Sequence, residues 1–460
     1  MSKRAQTRAA IVSVSAGYLL WNAKVAGGAC AANCAILAAL VVSPIFFLAY
    51  KTGTLCFGGF MTYDFESRVD RSREGSRKWN AMRSAHPELP PHIVPFSVAD
   101  MEFHTAPEIV DGLKRFIDTA VLGYSEPTDE MKEAVASWMA RRHNWHIEPE
   151  WILNSAGVVP SIFSAVEEFT KPDEGVIIFT PVYHPFYLAV EHSHRTLVEC
   201  PLILNDDLTY DIDFDLFEKL ASDASNTLLI FCSPHNPAGR VWTEEELLRI
   251  AKIAEKYELL VVSDEIHHDL IMPGSRHTVF ETVTPSIVAR TITCTSPSKS
   301  FNLAGTQFSN IIVSNPELRE RLNTRMNENH TTSCNPISFK ACELAYNYAE
   351  KWLDACIVAV DANQHHVINF FAEKHPEVRL IPVKGTYLQW LDFRALGLTH
   401  EELDDFLENK AQLFFTDGVF FGKAADGFKR WNLAAPRVEI DEALERLDKA
   451  LLELVGKESL

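Results

Sequence analysis

Thr291-Ile292-Thr293-Cys294-Thr295-Ser296-Pro297-Ser298-Lys299 is the stretch on which the fold turns. An apolar, β-branched run ends at two serines, a proline and a lysine. The first five residues read as a buried strand. Lysine is strongly hydrated and ordinarily stays at the surface. One held at the end of a buried strand, beside small hydroxyls, suits a Schiff-base amine with an anion close by. Taken alone, S-x-S-K reads as a surface lysine in a serine turn. The residues around it decide between the two.

Six further apolar runs accompany 291–295, at 151–154, 176–180, 197–200, 227–232, 259–263 and 309–313. Amphipathic stretches separate them, for example 161–169 and 243–257. Thr243 followed by Glu244, Glu245 and Glu246 is a helix start, a capping hydroxyl with acids on the positive end of the dipole. Short strands alternating with helices predict an α/β domain whose mostly parallel sheet is covered by helices on both faces. After about residue 330 the pattern changes to helices at 337–374 and 400–410. Strands follow near 379–382, 387–391 and 428–433, and a last helix spans 440–454. The expected organisation is an extension at 1–60, a large domain at 105–336, and a smaller α+β domain built from 61–104 and 337–460.

In open α/β sheets ligands sit beyond the carboxyl ends of the strands. Five positions of chemical interest fall there. Ser155-Ala156-Gly157-Val158-Val159-Pro160 opens a helix whose free N–H groups form an anion site, or is a plain strand–helix turn. Tyr183, in Pro181-Val182-Tyr183-His184-Pro185-Phe186, stacks on a planar ring or packs in its loop. Asn236 donates to a ligand oxygen or serves its Asn-Pro turn. Asp264 ends a buried strand and needs a charged or hydrogen-bonded partner, such as a protonated ring nitrogen, or else caps a helix. His267 and His268 are adjacent and face different directions, which argues against a metal. Ser296 to Lys299 is the fifth position. Each has a bland alternative, but five at successive strand ends of one domain are hard to attribute to chance.

The chain has 460 residues, 47% hydrophobic and 23% charged, ordinary globular composition with net charge −19. The five basic residues before Met61 lie in a segment without Asp or Glu, so from Met61 onward 38 basic residues face 62 acidic ones. A body this acidic repels phosphate backbones, and no nucleic-acid partner is expected. Nine cysteines occur without a CxxC pair or zinc spacing, which fits reduced thiols in a cytoplasmic setting and no metal. Residues 25–50 carry no charge and are long enough to span a bilayer. That segment reads as a membrane anchor, as the product of an over-extended start with initiation at Met61, or as a buried or targeting segment.

Together these residues resemble the class I/II aminotransferase superfamily of pyridoxal-phosphate enzymes (fold type I). Within it the likeness is to the cystathionine β-lyase-type carbon–sulfur lyases. It covers the chain from about Tyr63 onward. It is carried by Val98-Ala99-Asp100-Met101-Glu102-Phe103, Gly123-Tyr124-Ser125, Ala156 to Pro160, Pro181 to Phe186, Ser263-Asp264-Glu265-Ile266-His267 and Ser296 to Gly305. The resemblance implies a pyridoxal 5'-phosphate cofactor. Lys299 would hold it as a Schiff base and later move the Cα proton, while Asp264 would pair with the ring nitrogen. Asn236 would bond the phenolic oxygen, beside His267. Tyr183 would stack on the ring. Gly157, Val158 and Val159, with Ser296 and Ser298, would hold the phosphate. Tyr124 would reach into a neighbouring subunit's site, making a homodimer the active unit, and Arg437 would grip the substrate carboxylate.

Two departures tilt the reading. Ordinary aminotransferases usually carry an arginine eight residues past the lysine, where this chain has Gln307. They often carry tyrosine three residues past the aspartate, where it has His267. Both match the lyase-like branch. The expected reaction is β-elimination from a sulfur-bearing amino acid. The nearest alternative is an aminotransferase using the same residues. The alternative from another class is a membrane-tethered binding protein on an inactive fold.

Overall fold

Each of the seven apolar runs forms a strand, and all seven join one sheet. The computed structural model describes residues 55–57 and 61–458, in two units, Met1–Asp64 and Phe65–Leu460. In the first unit β1 (Leu55–Phe57) and β2 (Met61–Tyr63) pair antiparallel, with Leu55 opposite Tyr63. The apolar run 25–50 lies outside the described residues. Among those described, no helix is long and apolar enough to cross a membrane.

In the second unit the large sheet begins with β3 (Ile152–Ser155), β4 (Gly175–Thr180) and β5 (Thr196–Pro201). After a two-stranded ribbon, β6 (Ile203–Leu204) with β7 (Tyr210–Asp211), it continues with β8 (Asn226–Cys232), β9 (Leu260–Asp264), β10 (Thr291–Thr295) and β11 (Ser309–Ile312). The spatial order is β3-β11-β10-β9-β8-β4-β5, and β11 alone runs against the others. Successive side chains of a strand point to opposite faces. Ile177, Phe179, Leu229 and Phe231 therefore enter one buried cluster, and Val176, Ile178, Leu228 and Ile230 enter another. Burial on both faces is why these strands read as continuous apolar runs rather than alternating ones. Each such side chain contributes roughly 1.5–3 kcal/mol.

Helices cover the sheet. In chain order those that matter below are α1 (Arg77–Ala85), α2 (Val158–Phe169), α3 (Glu244–Lys256) and the single turn α4 (Pro297–Ser300). Thr243 caps α3 through a capping box: its hydroxyl accepts from the Glu246 N–H at 3.2 Å, and the Glu246 carboxylate accepts from the Thr243 N–H at 2.8 Å. The expected helix 337–374 is two, α5 (Pro336–Tyr348) and α6 (Glu350–Lys374). Ala349 interrupts them at φ −103° and ψ 12°. No glycine or proline marks that break, so the sequence pattern ran through it. The expected helix 400–410 is α7 (His400–Asp405) continued by a π-helical turn at Phe406–Lys410. The last helix, α8 (Arg437–Glu458), begins earlier than expected.

A second sheet is formed by β12 (Arg379–Ile381), β13 (Leu388–Asp392), β14 (Thr416–Asp417) and β15 (Phe428–Asn432), in the order β12-β13-β15-β14 and wholly antiparallel. A third apolar cluster joins the two chain ends of this unit: Trp79 and Phe96 pack with Val367, Trp431 and Leu447. On the first sheet the parallel register sets Asp264, the last residue of β9, level with Cys232 and Cys294. The carboxylate is thereby placed among buried neighbours at the carboxyl edge, where the cavity opens.

Candidate active site

Lys299 sits on α4 because Ser296 fixes the turn. The Ser296 hydroxyl accepts from the Ser298 N–H at 3.0 Å and donates to the Phe308 carbonyl at 2.7 Å. The lysine Nζ makes one hydrogen bond, to the Ala99 carbonyl at 2.8 Å, and that carbonyl also accepts from the Tyr387 hydroxyl at 2.8 Å. Burial, then the nearby Arg430 charge, pulls the Lys299 ammonium down to about 8. A neutral fraction of roughly one-tenth is thus present at pH 7.

Asp264 is buried and its carboxylate accepts one N–H, from Ile266 at 3.1 Å. Among the described residues it has no ion pair. Burial pushes it up to about 7, against the opposing Ile266 hydrogen bond and Lys299 charge. His267 is buried with no partner for Nδ1, and burial, then Lys299 and Arg430, hold its ring well below the usual range. It is a neutral imidazole. Arg430 is 3% exposed. Its guanidinium donates to Asn236 Oδ1 at 2.9 Å and Thr416 Oγ1 at 3.2 Å, leaving Nε without a partner. Burial draws it down to about 10. Strand alternation on β15 separates it from Lys429, which pairs with Asp404 and Asp417.

These groups face one cavity of about 540 Å³. Gly157, Val158, Val159, Tyr183, Asn236, Asp264, His267, Ser298 and Lys299 all line it, as does Gln307. Gly157 caps α2 without any side-chain hydrogen bond, so the first N–H groups of that helix face the cavity uncapped by the chain. Burial raises the Tyr183 phenol, which stays protonated.

Three expected site residues lie outside this cavity, Tyr124 among them because its expected place is a neighbouring subunit's site. Ser296 is wholly buried, and its hydroxyl proton is committed to Phe308; it shapes the lysine's turn rather than facing the cavity. Tyr124 is fully exposed, in the loop between 119 and 129 with Val121 and Leu122. Arg437 is the first residue of α8, and its Nε donates to Asn363 Oδ1 at 2.8 Å. The helix start carries its side chain away from the cavity, whose buried guanidinium is that of Arg430. Sequence reading also missed Arg77, Phe415 and Phe420 on the cavity wall. A strand signal at 428–433 was present, and alternation along it would have turned Arg430 or Lys429 inward.

The model of the family described as aminotransferase class I and II matches residues 91–447. The chain belongs to that family. Within it, the chain is 36% identical over 388 residues to the cystathionine beta-lyase PatB of Bacillus subtilis, covering 84% of this chain and 100% of the relative. Among solved structures, cystalysin from Treponema denticola, which contains pyridoxal 5'-phosphate, superposes with a TM-score of 0.84 at 50% identity, covering 86% of this chain and all of that one. The PLP-bound C-S lyase from Staphylococcus hominis gives a TM-score of 0.78 at 31% identity, covering 85% and 99%. The seven-stranded mixed sheet with its helical cover is the fold-type-I architecture of this family.

Proposed function

We propose that the protein is a pyridoxal-phosphate-dependent carbon–sulfur β-lyase that cleaves a sulfur-bearing amino acid to a thiol, pyruvate and ammonia. The residues present fit the cofactor. A half-buried lysine with a neutral fraction, a buried carboxylate with one hydrogen bond, a half-buried tyrosine and an uncapped helix N-terminus surround a single cavity. When bound, pyridoxal phosphate supplies an aldehyde that binds the substrate amine and a ring that takes up the electron pair released at Cα.

The protein's own groups do the rest. Lys299 Nζ removes the Cα proton, and its lowered pKa gives it the neutral form this needs. Asp264 would hold a proton at the ring nitrogen, an ion pair that would repay the burial of its carboxylate. Arg430 would grip the α-carboxylate, and Asn236 would serve the ring's phenolic oxygen. Tyr183 would hold the ring. The N–H groups of Val158 and Val159, with the Ser298 hydroxyl, would take the phosphate. The Cβ–S bond breaks with its electron pair going to sulfur, and the thiolate takes up a proton. The three-carbon remainder takes up water to give pyruvate and ammonia.

The observation that carries the reading is the placement of half-buried Lys299 and buried Asp264, each with a single hydrogen bond, in one cavity of a chain so similar to known C–S lyases. Gln307 on the cavity wall supports elimination over transamination. We further assign the exposed loop bearing Val121, Leu122 and Tyr124 to the surface of a homodimer, Tyr124 completing the second copy's site. Holoenzyme incubated with cystathionine or a cysteine conjugate should release thiol and pyruvate without an added keto acid. Turnover that depends on a keto acid would make it an aminotransferase instead.

A further inference from the structure

Arg77 is the first residue of α1 and lines the same cavity, at its exposed side. Among the described residues no hydrogen bond or ion pair engages its guanidinium. Its neighbours in the chain are committed: Lys78 is bound to Asp100 and Glu102, and Arg71 to the same two carboxylates. Asp417, a carboxylate lining the same cavity, is engaged by Lys429 at 3.1 Å and faces His400 at 3.2 Å, not Arg77. Arg77 lies close enough to Tyr183 for its charge to act on the phenol. The cavity wall also carries apolar surface from Val98, Phe415 and Phe420.

One cavity thus holds a buried guanidinium, Arg430, an exposed one without a partner among the described residues, Arg77, and apolar wall surface. The surrounding body is strongly acidic, so an anionic substrate would otherwise be repelled. We infer that Arg77 selects substrates whose departing thiol carries a carboxylate, that is, cysteine thioethers or disulfides with an anionic group beyond the sulfur. The inference rests on the lyase reading and adds the chemical class of the leaving group. The elimination keeps the balance given above, with the carboxylate leaving unchanged on the thiol. A guanidinium meets a carboxylate in a bidentate fork, which a neutral or cationic chain cannot accept.

The test uses holoenzyme and three substrates, S-(2-carboxyethyl)cysteine, S-propylcysteine and S-(2-aminoethyl)cysteine, with wild type and Arg77→Gln. Comparing each substrate between the two proteins cancels differences in thiol acidity. The ratio of kcat/KM for the carboxyethyl over the propyl substrate should fall about fivefold or more in the variant, and the aminoethyl substrate should gain. The loss for the carboxyethyl substrate should lie in KM and shrink in high salt. A binding readout accompanies it: 2-aminopimelate, which has no sulfur to expel, should bind wild-type holoenzyme more tightly than 2-aminoheptanoate, and Arg77→Gln should abolish the preference. Arg77→Lys should restore part of it. Ratios unchanged by Arg77→Gln, or equal binding of the two analogues to wild type, would overturn the inference. If no substrate yields thiol and pyruvate while the analogue preference holds, the lyase reading fails and the anion site stands.

Discussion

Asp264 and Asp269 are both buried carboxylates on one short stretch of chain, and they are held in opposite ways. Asp269 accepts from Trp138 Nε1 at 3.0 Å, His143 Nε2 at 2.7 Å and Ser300 Oγ at 2.5 Å, with His268 Nε2 at 3.4 Å. Burial pushes it upward, but His268, His143 and Ser300 prevail and hold it well below the usual carboxylate range. Asp264 has one backbone donor, and burial wins. A saturated buried charge fixes shape, here the seat of α4 through Ser300. An unsaturated one is a place kept for a ligand. The sites differ in what they lack rather than in residue type.

The largest effect is expected at Lys299. Lys299→Ala should lower turnover by at least about 1000-fold, read from pyruvate release, with the cofactor's absorbance on the protein lost. The next two variants strike the comparison itself. Asp269→Ala leaves a cluster of buried donors unpaired and should destabilise the fold by about 3–5 kcal/mol. Asp264→Ala should leave the cofactor-free protein as stable as wild type or more so, while cutting turnover about 100-fold or more. Denaturant unfolding of both without cofactor reads the difference, and equal destabilisation would erase the distinction drawn above.

A pH measurement sharpens it. The folded pKa of Asp264, about 7, lies above its unfolded value, so the folded state binds the extra proton between about pH 4 and pH 7. Its contribution to stability should therefore be fully present below about pH 4 and be lost as pH rises through about 7, on the order of 4 kcal/mol in all. The difference between wild type and Asp264→Asn, measured without cofactor, should show that slope. Smallest is the pair of arginines. Arg430→Ala should raise KM for the amino acid about 10- to 100-fold, and Arg437→Ala should raise it less than about threefold, since Arg437 serves Asn363.

Much of this was legible in the chain. The seven strands of the large sheet showed because burial on both faces makes each a run of apolar residues, and the Thr243 cap showed because its box is local. Lys299, Asp264, Asn236 and Tyr183 showed because strand ends on such a sheet converge. What did not show depends on contacts remote in sequence. Arg430 beside Lys429 looks like an exposed basic pair until β13 and β14 flank β15 and its alternation is fixed. The Ala99 carbonyl that holds Lys299 is a backbone atom with no sequence signature. The break at Ala349 has no glycine or proline to announce it.

The central claim is that the unsaturated cluster around Lys299 is built to hold pyridoxal phosphate. Loading the protein with the cofactor, reducing with borohydride and mapping the labelled peptide by mass tests it most directly. The expected result is one cofactor per chain, on Lys299, with none retained by Lys299→Ala. A label on Lys78 or another lysine, or no stoichiometric label in the wild type, would contradict it.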